Sequence, residues 1–178
     1  MATGRDNSLA KQIGESLVCA ELGRRGIIAT AFAGNIPTFD ILAADEYCRA
    51  LPIQVKASTA NNWPSTATRW MKLEFDQISK KQNYTGPTEL DAHDLIYVYV
   101  AIELGDGKDR YFILTKSDVQ QVYVNHYTTW MEKKGWQRPN KPESFDCRPK
   151  THEFETFEDN WDLILNRLKQ VSHTESFI

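Results

Sequence analysis

The sequence is poor in cysteine, and its cysteines form no pattern that indicates a cross-link or a metal cage. Cys19, Cys48 and Cys147 are odd in number, far apart, and absent from any CxxC pair. A disulfide framework and a cysteine zinc site are therefore not expected. Buried or unreactive thiols are the simpler interpretation, because free cysteine is common in protein cores.

Long apolar runs are also missing. No stretch approaches the roughly 18 apolar residues that mark a membrane-spanning helix, and residues 1–8 lack the basic and then apolar pattern of a signal peptide. We therefore predict a cytoplasmic protein with no membrane partner. Neither a glycine-rich phosphate loop nor a GxSxG motif occurs, which argues against an NTPase and a serine hydrolase.

An excess of positive charge is absent as well, since 21 basic residues face 24 acidic ones and the formal net charge is −3. This balance counts only mildly against nucleic-acid binding, because DNA is held by a local basic face and carboxylates around a metal lower the total. Apolar residues make up 41% of the 178 residues. We predict one domain over residues 1–171, with a long irregular excursion at about 135–153 and a flexible tail over 172–178.

Apolar periodicity predicts an alternation of helices and strands. The predicted helices cover residues 9–25, 75–82, 117–133 and 157–171. The predicted strands cover residues 27–32, 39–44, 51–57, 95–102 and 111–114, the first three as a meander and the last two as a hairpin. Residues placed to cap or end helices are Asp6, Asn7, Ser8, Gly26 and Ser117. This order predicts an α/β fold with a central mixed β-sheet flanked by α-helices.

A polar pair marks the third predicted strand. Gln54 and Lys56 are two residues apart, so their side chains share one face of an otherwise apolar strand. Asp40 precedes the apolar residues of the strand before it, where a carboxylate is costly unless it is paired or binds a metal. Neighbouring strands lie about 4.8 Å apart, so Asp40 can reach this pair. Glu15 can approach the same place if the first helix packs on the sheet.

These side chains have the chemistry of a magnesium-dependent phosphodiesterase. Mg²⁺ prefers oxygen ligands, which Asp40, Glu15, the amide of Gln54 and the backbone carbonyl of Val55 can supply. Lys56 could position a metal-activated water and offset the charge that develops on phosphate. On spacing alone a simpler interpretation is more frequent, in which Asp40 caps a turn, Gln54 bonds locally, and Lys56 pairs with Glu15.

A resemblance favours the metal site. The stretches GESLVCAELGRRG at residues 14–26, FDIL at 39–42 and IQVKAS at 53–58 resemble the PD-(D/E)XK nuclease superfamily. The resemblance is strongest to branches related to archaeal Holliday junction resolvases, restriction-like endonucleases and some homing endonucleases. It implies a restriction-endonuclease-like core. It also implies that the metal and catalytic site is formed by Glu15, Asp40, Gln54 and Lys56.

The sequence departs from the family pattern at two positions. Phe39 stands in place of the proline before the aspartate, and Gln54 stands in place of the usual acidic residue. The second change removes one formal negative charge, although the amide oxygen can still coordinate a cation. Glutamine occurs at this position in some members of the superfamily.

The resemblance therefore implies a Mg²⁺-dependent endonuclease that hydrolyses DNA, with Mn²⁺ as a second candidate metal. A homodimer or higher homo-oligomer is the assembly expected from the family, because two strands are commonly cut by two copies of one site. A catalytically inactive module of the same fold, which binds nucleic acid or protein, is the alternative.

Basic residues flank the predicted site in sequence. The candidates for nucleic-acid binding are Arg24, Arg25, Ser58, Arg69, Lys72, Lys80 and Lys81. The interleaved Trp63, Trp70 and Tyr84 could stack on bases, or could equally be core residues beside a solvated surface. A second basic cluster comprises Lys133, Lys134, Arg138, Lys141, Arg148 and Lys150. This cluster could be a DNA-contacting flap, although a soluble loop is slightly favoured.

Overall fold

The computed structural model describes residues 4–32, 38–92 and 95–171, with side chains from residue 8 onward. Within these ranges the helices are α1 (Gly4–Arg24), α2 (Lys116–Glu132) and α3 (Asp162–Gln170). The strands are β1 (Ile28–Ala31), β2 (Ile41–Ala44), β3 (Ala50–Ser58), β4 (Ser65–Thr66), β5 (Met71–Phe75), β6 (Gln82–Pro87), β7 (Ile96–Ala101), β8 (Arg110–Thr115) and β9 (Asp146–Cys147). Short 3-10 helices cover Ala67–Arg69 and Thr151–Phe157.

Five strands form the central sheet, in the spatial order β1-β2-β3-β7-β8. The first three pair antiparallel with Ile41 opposite Ile53, which confirms the predicted meander. β3 and β7 are parallel, with Gln54 beside Tyr97 and Lys56 beside Tyr99. β7 and β8 are antiparallel, which confirms the predicted hairpin and makes the sheet mixed.

Helices cover both faces of this sheet. α1 and α3 lie on one face, over a core that includes Val18, Ile53 and Leu168. α2 lies on the other face, over a core that includes Tyr99 and Tyr123. The predicted α/β class, with a central mixed sheet flanked by α-helices, is confirmed.

A glycine lets α1 approach the sheet closely. A Cβ added to Gly14 would lie only 2.4 Å from the Cβ of Ala57 on β3, so a larger residue would push the two elements apart. This contact sets the height of α1 over β3. It thereby also places the next residue of the helix, Glu15.

The helix ends agree with the predictions only in part. Gly26 has a φ of +77°, the left-handed conformation that stops a helix, so its predicted role at the end of α1 is confirmed. α1 begins at Gly4, so the predicted caps lie inside the helix and are wrong: Asp6, Asn7 and Ser8. α2 is capped by Thr115 in a reciprocal pair of hydrogen bonds with Asp118, and the predicted cap Ser117 lies within the helix.

The predicted helix over residues 75–82 is wrong. Its ends belong to β5 and β6, which form an antiparallel hairpin outside the central sheet, and residues 76–81 connect them. Residues alternate between buried or half-buried and exposed along both strands, which is the period of a strand.

Between α2 and α3 the chain is mostly irregular. Residues 135–153 contain β9, which pairs with β4, and the start of a 3-10 helix. α3 is shorter than the predicted helix over 157–171. Within the described residues no helix is both long and apolar enough to cross a membrane. The single domain over residues 1–171 stays a prediction, and the tail over 172–178 lies outside the described residues.

Candidate metal centre at the edge of the central sheet

Asp40 lies where β2 and β3 separate. Its backbone N–H donates to the carbonyl of Ile53 at 2.9 Å. Beyond this point the Asp40 side chain, rather than a backbone carbonyl of β2, accepts the hydrogen bond from β3. Its Oδ2 accepts from Val55 N at 2.8 Å and also from Gln54 Nε2. Asp40 and Gln54 are only 7% and 8% exposed. The structure thus brings these two predicted residues together, and the buried carboxylate is paired, as its burial requires.

Val55 contributes its backbone to the same edge. In a strand, the N–H and C=O groups of one residue point to the same side, and the N–H of Val55 points at Asp40. The Val55 carbonyl therefore faces the edge of β3 next to Asp40. Its side chain lies in the core on the α1 side of the sheet.

Glu15 reaches this edge from α1, together with Lys11, which was not predicted as a site residue. The Lys11 ammonium lies 3.6 Å from Oε1 of Glu15 and 3.3 Å from Oδ1 of Asp40. The Lys11 side chain is 47% exposed, whereas those of Glu15 and Asp40 are 14% and 5% exposed. Two carboxylates therefore share one cationic group. The spacing of four residues between Lys11 and Glu15 on one helix was a signal that could have identified Lys11.

Lys56 approaches from the other face of the sheet. It lies beside Tyr99 in the register, on the α2 side. Burial lowers the pKa of the Lys56 ammonium, and the positive charge of Arg69 adds to this shift, whereas Asp40 and Glu15 oppose it. Lys56 takes part in none of the ion pairs formed among the described residues.

Burial and charge also act on the residues from α1. Burial raises the pKa of Glu15, and the nearby Asp40 carboxylate raises it further, against the effect of Lys11 and Lys56. Burial opposes the charged form of Lys11, but Asp40 and Glu15 outweigh this effect and raise its pKa. Negative charge is therefore concentrated at this edge, and it attracts a cation.

The donor set fits a hard divalent cation. Asp40 and Glu15 already hold a single positive group between them, and the Gln54 amide and the Val55 carbonyl lie at the same edge. Mg²⁺ is commonly bound by one or two carboxylates and keeps several waters. Among the described residues, no group of three or more His, Cys, Asp or Glu could hold a metal. A metal here would therefore also depend on the neutral oxygens.

The candidate DNA contacts lie in three places. Arg69 is exposed and lowers the pKa of Lys56, and it lies two residues before the β5–β6 hairpin, which carries Lys72, Lys80 and Lys81. Arg24 and Arg25 instead pair with Glu21 at the end of α1. The Ser58 hydroxyl accepts a hydrogen bond from Ala60 N at 3.1 Å within a turn.

The aromatic candidates are mostly structural. Trp63 and Trp70 are 4% and 3% exposed and belong to the core on the α2 side, so they cannot stack on bases without unfolding. Tyr84 is half-buried and stacks on Trp136, with ring centroids 5.9 Å apart.

Part of the second basic cluster lies on a different surface. Four of its residues line a groove of about 1100 Å³ along α2: Lys133, Arg138, Arg148 and Lys150. Asp118, Asp146 and Glu153 line the same groove. None of the candidate metal ligands does, so this groove is separate from the site.

Comparisons with known proteins give limited similarity. No protein-family model matches the sequence, and no curated protein matches it. The chain is similar in structure to the bacterial homing endonuclease I-Ssp6803I, with a TM-score of 0.47, 14% identity, and coverage of 94% of this chain and 98% of that chain. It is also similar to the Holliday junction resolvase Hjc of Archaeoglobus fulgidus, with a TM-score of 0.39, 14% identity, and coverage of 82% and 88%. Likeness at this level assigns no role to individual residues.

Proposed function

We propose that this protein is a metal-dependent endonuclease that hydrolyses DNA phosphodiester bonds. The observation that carries this proposal is the meeting of four polar groups at one edge of β3. Asp40 and Gln54 are in direct contact there, Glu15 is joined to Asp40 through Lys11, and Lys56 lies within electrostatic reach of both carboxylates. Two of the four, Asp40 and Gln54, are buried, and buried polar groups are costly unless they are paired or serve binding or chemistry.

Mg²⁺, or Mn²⁺ in its place, would be held by Asp40, Glu15, the Gln54 amide oxygen and the Val55 carbonyl, and it would supply a water of lowered pKa for attack on phosphorus. Gln54 now points its amide nitrogen at Asp40. A rotation of the amide by half a turn exchanges its nitrogen and oxygen at little steric cost. The same side chain can therefore offer Asp40 a donor in one state and a cation an oxygen in another.

Lys56 serves the substrate rather than the metal ligands. Its burial removes water that would screen its charge, so an ammonium here interacts strongly with a phosphate that enters the site. Charge develops on the phosphate oxygens during hydrolysis, and a fixed ammonium stabilises it without reorganisation. The nearby exposed Arg69 adds positive charge for the approaching DNA backbone.

A catalytically inactive module of the same fold is the second candidate, and one observation favours it. Lys11 contacts both carboxylates where a metal would sit, and Gln54 presents its nitrogen to Asp40. Lys11, however, is half-exposed at 47% and can swing into solvent, so this arrangement suits a site that exchanges an internal cation for a metal ion.

Cleavage assays with purified protein test the proposal. Supercoiled plasmid and short duplex, branched and single-stranded DNAs are incubated with Mg²⁺, Mn²⁺ or EDTA. We expect metal-dependent cleavage of at least one substrate, and its loss in Asp40→Asn, which keeps the size of the side chain and removes its charge. Folded protein that cuts none of these DNAs with either metal, or that cuts equally well in EDTA, contradicts the proposal.

The expected homodimer or higher homo-oligomer stays a prediction from the resemblance, as does the cytoplasmic location. Light scattering of the protein with and without DNA would measure the assembly.

A further inference from the structure

We infer that the β5–β6 hairpin enters a groove of duplex DNA and reads base edges beside the cleavage site. This inference rests on the proposed nuclease function and names the element that recognises its substrate. Among the strands that the structure describes, β5 and β6 pair only with each other, from Met71 opposite Pro87 to Phe75 opposite Gln82. A two-stranded ribbon of this kind fits the major groove of B-form DNA.

The root of the hairpin is fixed next to the candidate metal centre. Gln120, on α2, donates from Nε2 to the carbonyls of Trp70 and Thr88, at 2.8 Å each, so one side chain holds both strands. The Thr88 hydroxyl also donates to the carbonyl of Arg69 at 3.1 Å. Trp70 and Met71 pack in the same core as Tyr99, which lies beside Lys56 in the sheet, so the ribbon starts close to the proposed cleavage site.

One face of the ribbon packs against the rest of the protein. Gln82 is 1% exposed, donates from Nε2 to the carbonyls of Pro142 and Ser144 at 2.7 and 3.0 Å, and accepts from the Tyr127 hydroxyl at 2.6 Å. Tyr84 stacks on Trp136 on the same side. These contacts prevent the ribbon from rotating about its axis.

The opposite face is exposed and carries hydrogen-bonding side chains: Lys72, Glu74, Asn83 and Thr85. Lysine suits the acceptors of guanine, asparagine suits the paired donor and acceptor of adenine, and a carboxylate suits the amino group of cytosine. An apolar protein partner would gain little from such a face. The edges of base pairs supply both donors and acceptors, so the exposed side chains of the ribbon are suited to bind duplex DNA.

The tip carries the charge that a DNA backbone requires. Lys80 and Lys81 are exposed there. The turn is held by Asp76, whose Oδ1 accepts from Ile78 N at 2.7 Å and from Ser79 N at 3.1 Å. The two lysines are thus presented on an ordered turn, where phosphate contacts would position the ribbon.

The test measures binding of the full chain to duplex DNA in EDTA, so that cleavage plays no part. A randomised duplex pool gives the base preference, and a salt titration gives the number of phosphate contacts. Lys80→Gln with Lys81→Gln is compared with a matched control, Lys108→Gln with Lys169→Gln, in which both lysines are exposed but lie outside the hairpin. Asn83→Ala removes a side chain from the exposed face.

We expect the Lys80 and Lys81 pair of substitutions to weaken binding to every duplex and to reduce the slope of log affinity against log salt by about two. Asn83→Ala should relax the preference at one base pair by roughly tenfold and leave other positions unchanged. The control pair should bind like the parent protein.

Two results overturn the inference: a salt slope equal to that of the control pair, or a parent base preference that is absent or unchanged in Asn83→Ala. A parent protein that cuts DNA but gives either result keeps the proposed function and loses the hairpin role. A parent protein that shows the expected hairpin effects but cuts nothing with Mg²⁺ or Mn²⁺ keeps the hairpin role and loses the nuclease function. No binding to any duplex overturns the hairpin role, and cleavage of branched or single-stranded DNA then decides the nuclease function separately.

Discussion

Replacing Lys11 by methionine tests whether its ammonium occupies the place of the proposed metal. The side chain keeps a similar length and loses its contacts with Asp40 Oδ1 at 3.3 Å and Glu15 Oε1 at 3.6 Å. A bound metal must compete with these contacts, and afterwards it must tolerate a nearby ammonium. Both effects disappear in Lys11→Met, so the affinity for metal should rise.

The expected size follows from the exposure of Lys11. A pair of unit charges at about 4 Å is worth roughly 4 kcal/mol near a protein surface before the costs of desolvation and ordering are counted. Because the Lys11 side chain is 47% exposed, screening reduces this to about 1 kcal/mol or less for each contact. Two contacts together correspond to an increase of roughly tenfold in metal affinity.

Calorimetric titration of the DNA-free protein with Mn²⁺ measures this change directly. Lys108→Met is the matched control, because Lys108 is exposed and lies in the loop between β7 and β8, away from the site. An affinity that is unchanged or weaker in Lys11→Met, with the control equal to the parent protein, refutes the competition between lysine and metal.

Two further predictions concern the free energy of unfolding. Gly14→Ala should lower the free energy of unfolding by about 1–3 kcal/mol through overpacking against Ala57, and adding Ala57→Gly should recover part of this loss. Gly23→Ala is the control, because a Cβ there meets nothing within 4 Å, and it should stabilise the protein by up to about 1 kcal/mol. Denaturant unfolding that gives the two alanine variants equal stability contradicts the close contact between α1 and β3. The bidentate pair from Arg110 lowers the pKa of Glu158, so its stabilisation is present above the ordinary glutamate pKa of about 4.3 and is lost as pH falls through the lowered pKa. Glu158→Gln should therefore lower the free energy of unfolding by less than about 1 kcal/mol at neutral pH and leave it unchanged in strong acid. Thermal melts across pH measure this difference. Glu155→Gln is the control and should have a smaller effect, because the Glu155 carboxylate lies 3.7 Å from the Arg110 guanidinium.

Short-range patterns predicted much of the fold around the site. In β1, β2 and β3 apolar residues either alternate with polar ones or follow one another over a few positions, and turn residues separate the three strands. Their order and antiparallel pairing could therefore be predicted from local signals. The two-residue spacing of Gln54 and Lys56 likewise fixed a shared face. Asp40 could be placed near them because strand spacing is nearly constant.

The β5–β6 hairpin was predicted as a helix because its local sequence pattern is ambiguous. Phe75, Ile78 and Gln82 are spaced three and four residues apart, which imitates a helix face. The structure buries Gln82 and leaves Ile78 95% exposed. The partners that decide between the two structures are distant in sequence, since Gln82 bonds to Tyr127 and to the carbonyl of Pro142.

The role of Lys11 depended on tertiary packing in the same way. Its spacing from Glu15 predicts no more than a surface ion pair on a helix. The contact with Asp40 exists because α1 lies close to β3 at Gly14, and this approach distance cannot be read from periodicity.

The most direct test of the proposed metal-dependent site combines single-turnover DNA cleavage with metal titration in Lys56→Ala and Asp40→Ala. Lys56 is no proposed ligand, and its charge is disfavoured by burial, so Lys56→Ala should stay folded and bind Mn²⁺ like the parent protein. Its cleavage rate should fall on the order of a hundredfold or more, the scale of one lost preorganised charge. Asp40→Ala should lose both metal binding and cleavage. Cleavage at the parent rate by Lys56→Ala, together with normal metal binding by Asp40→Ala, would contradict the assignment of this site.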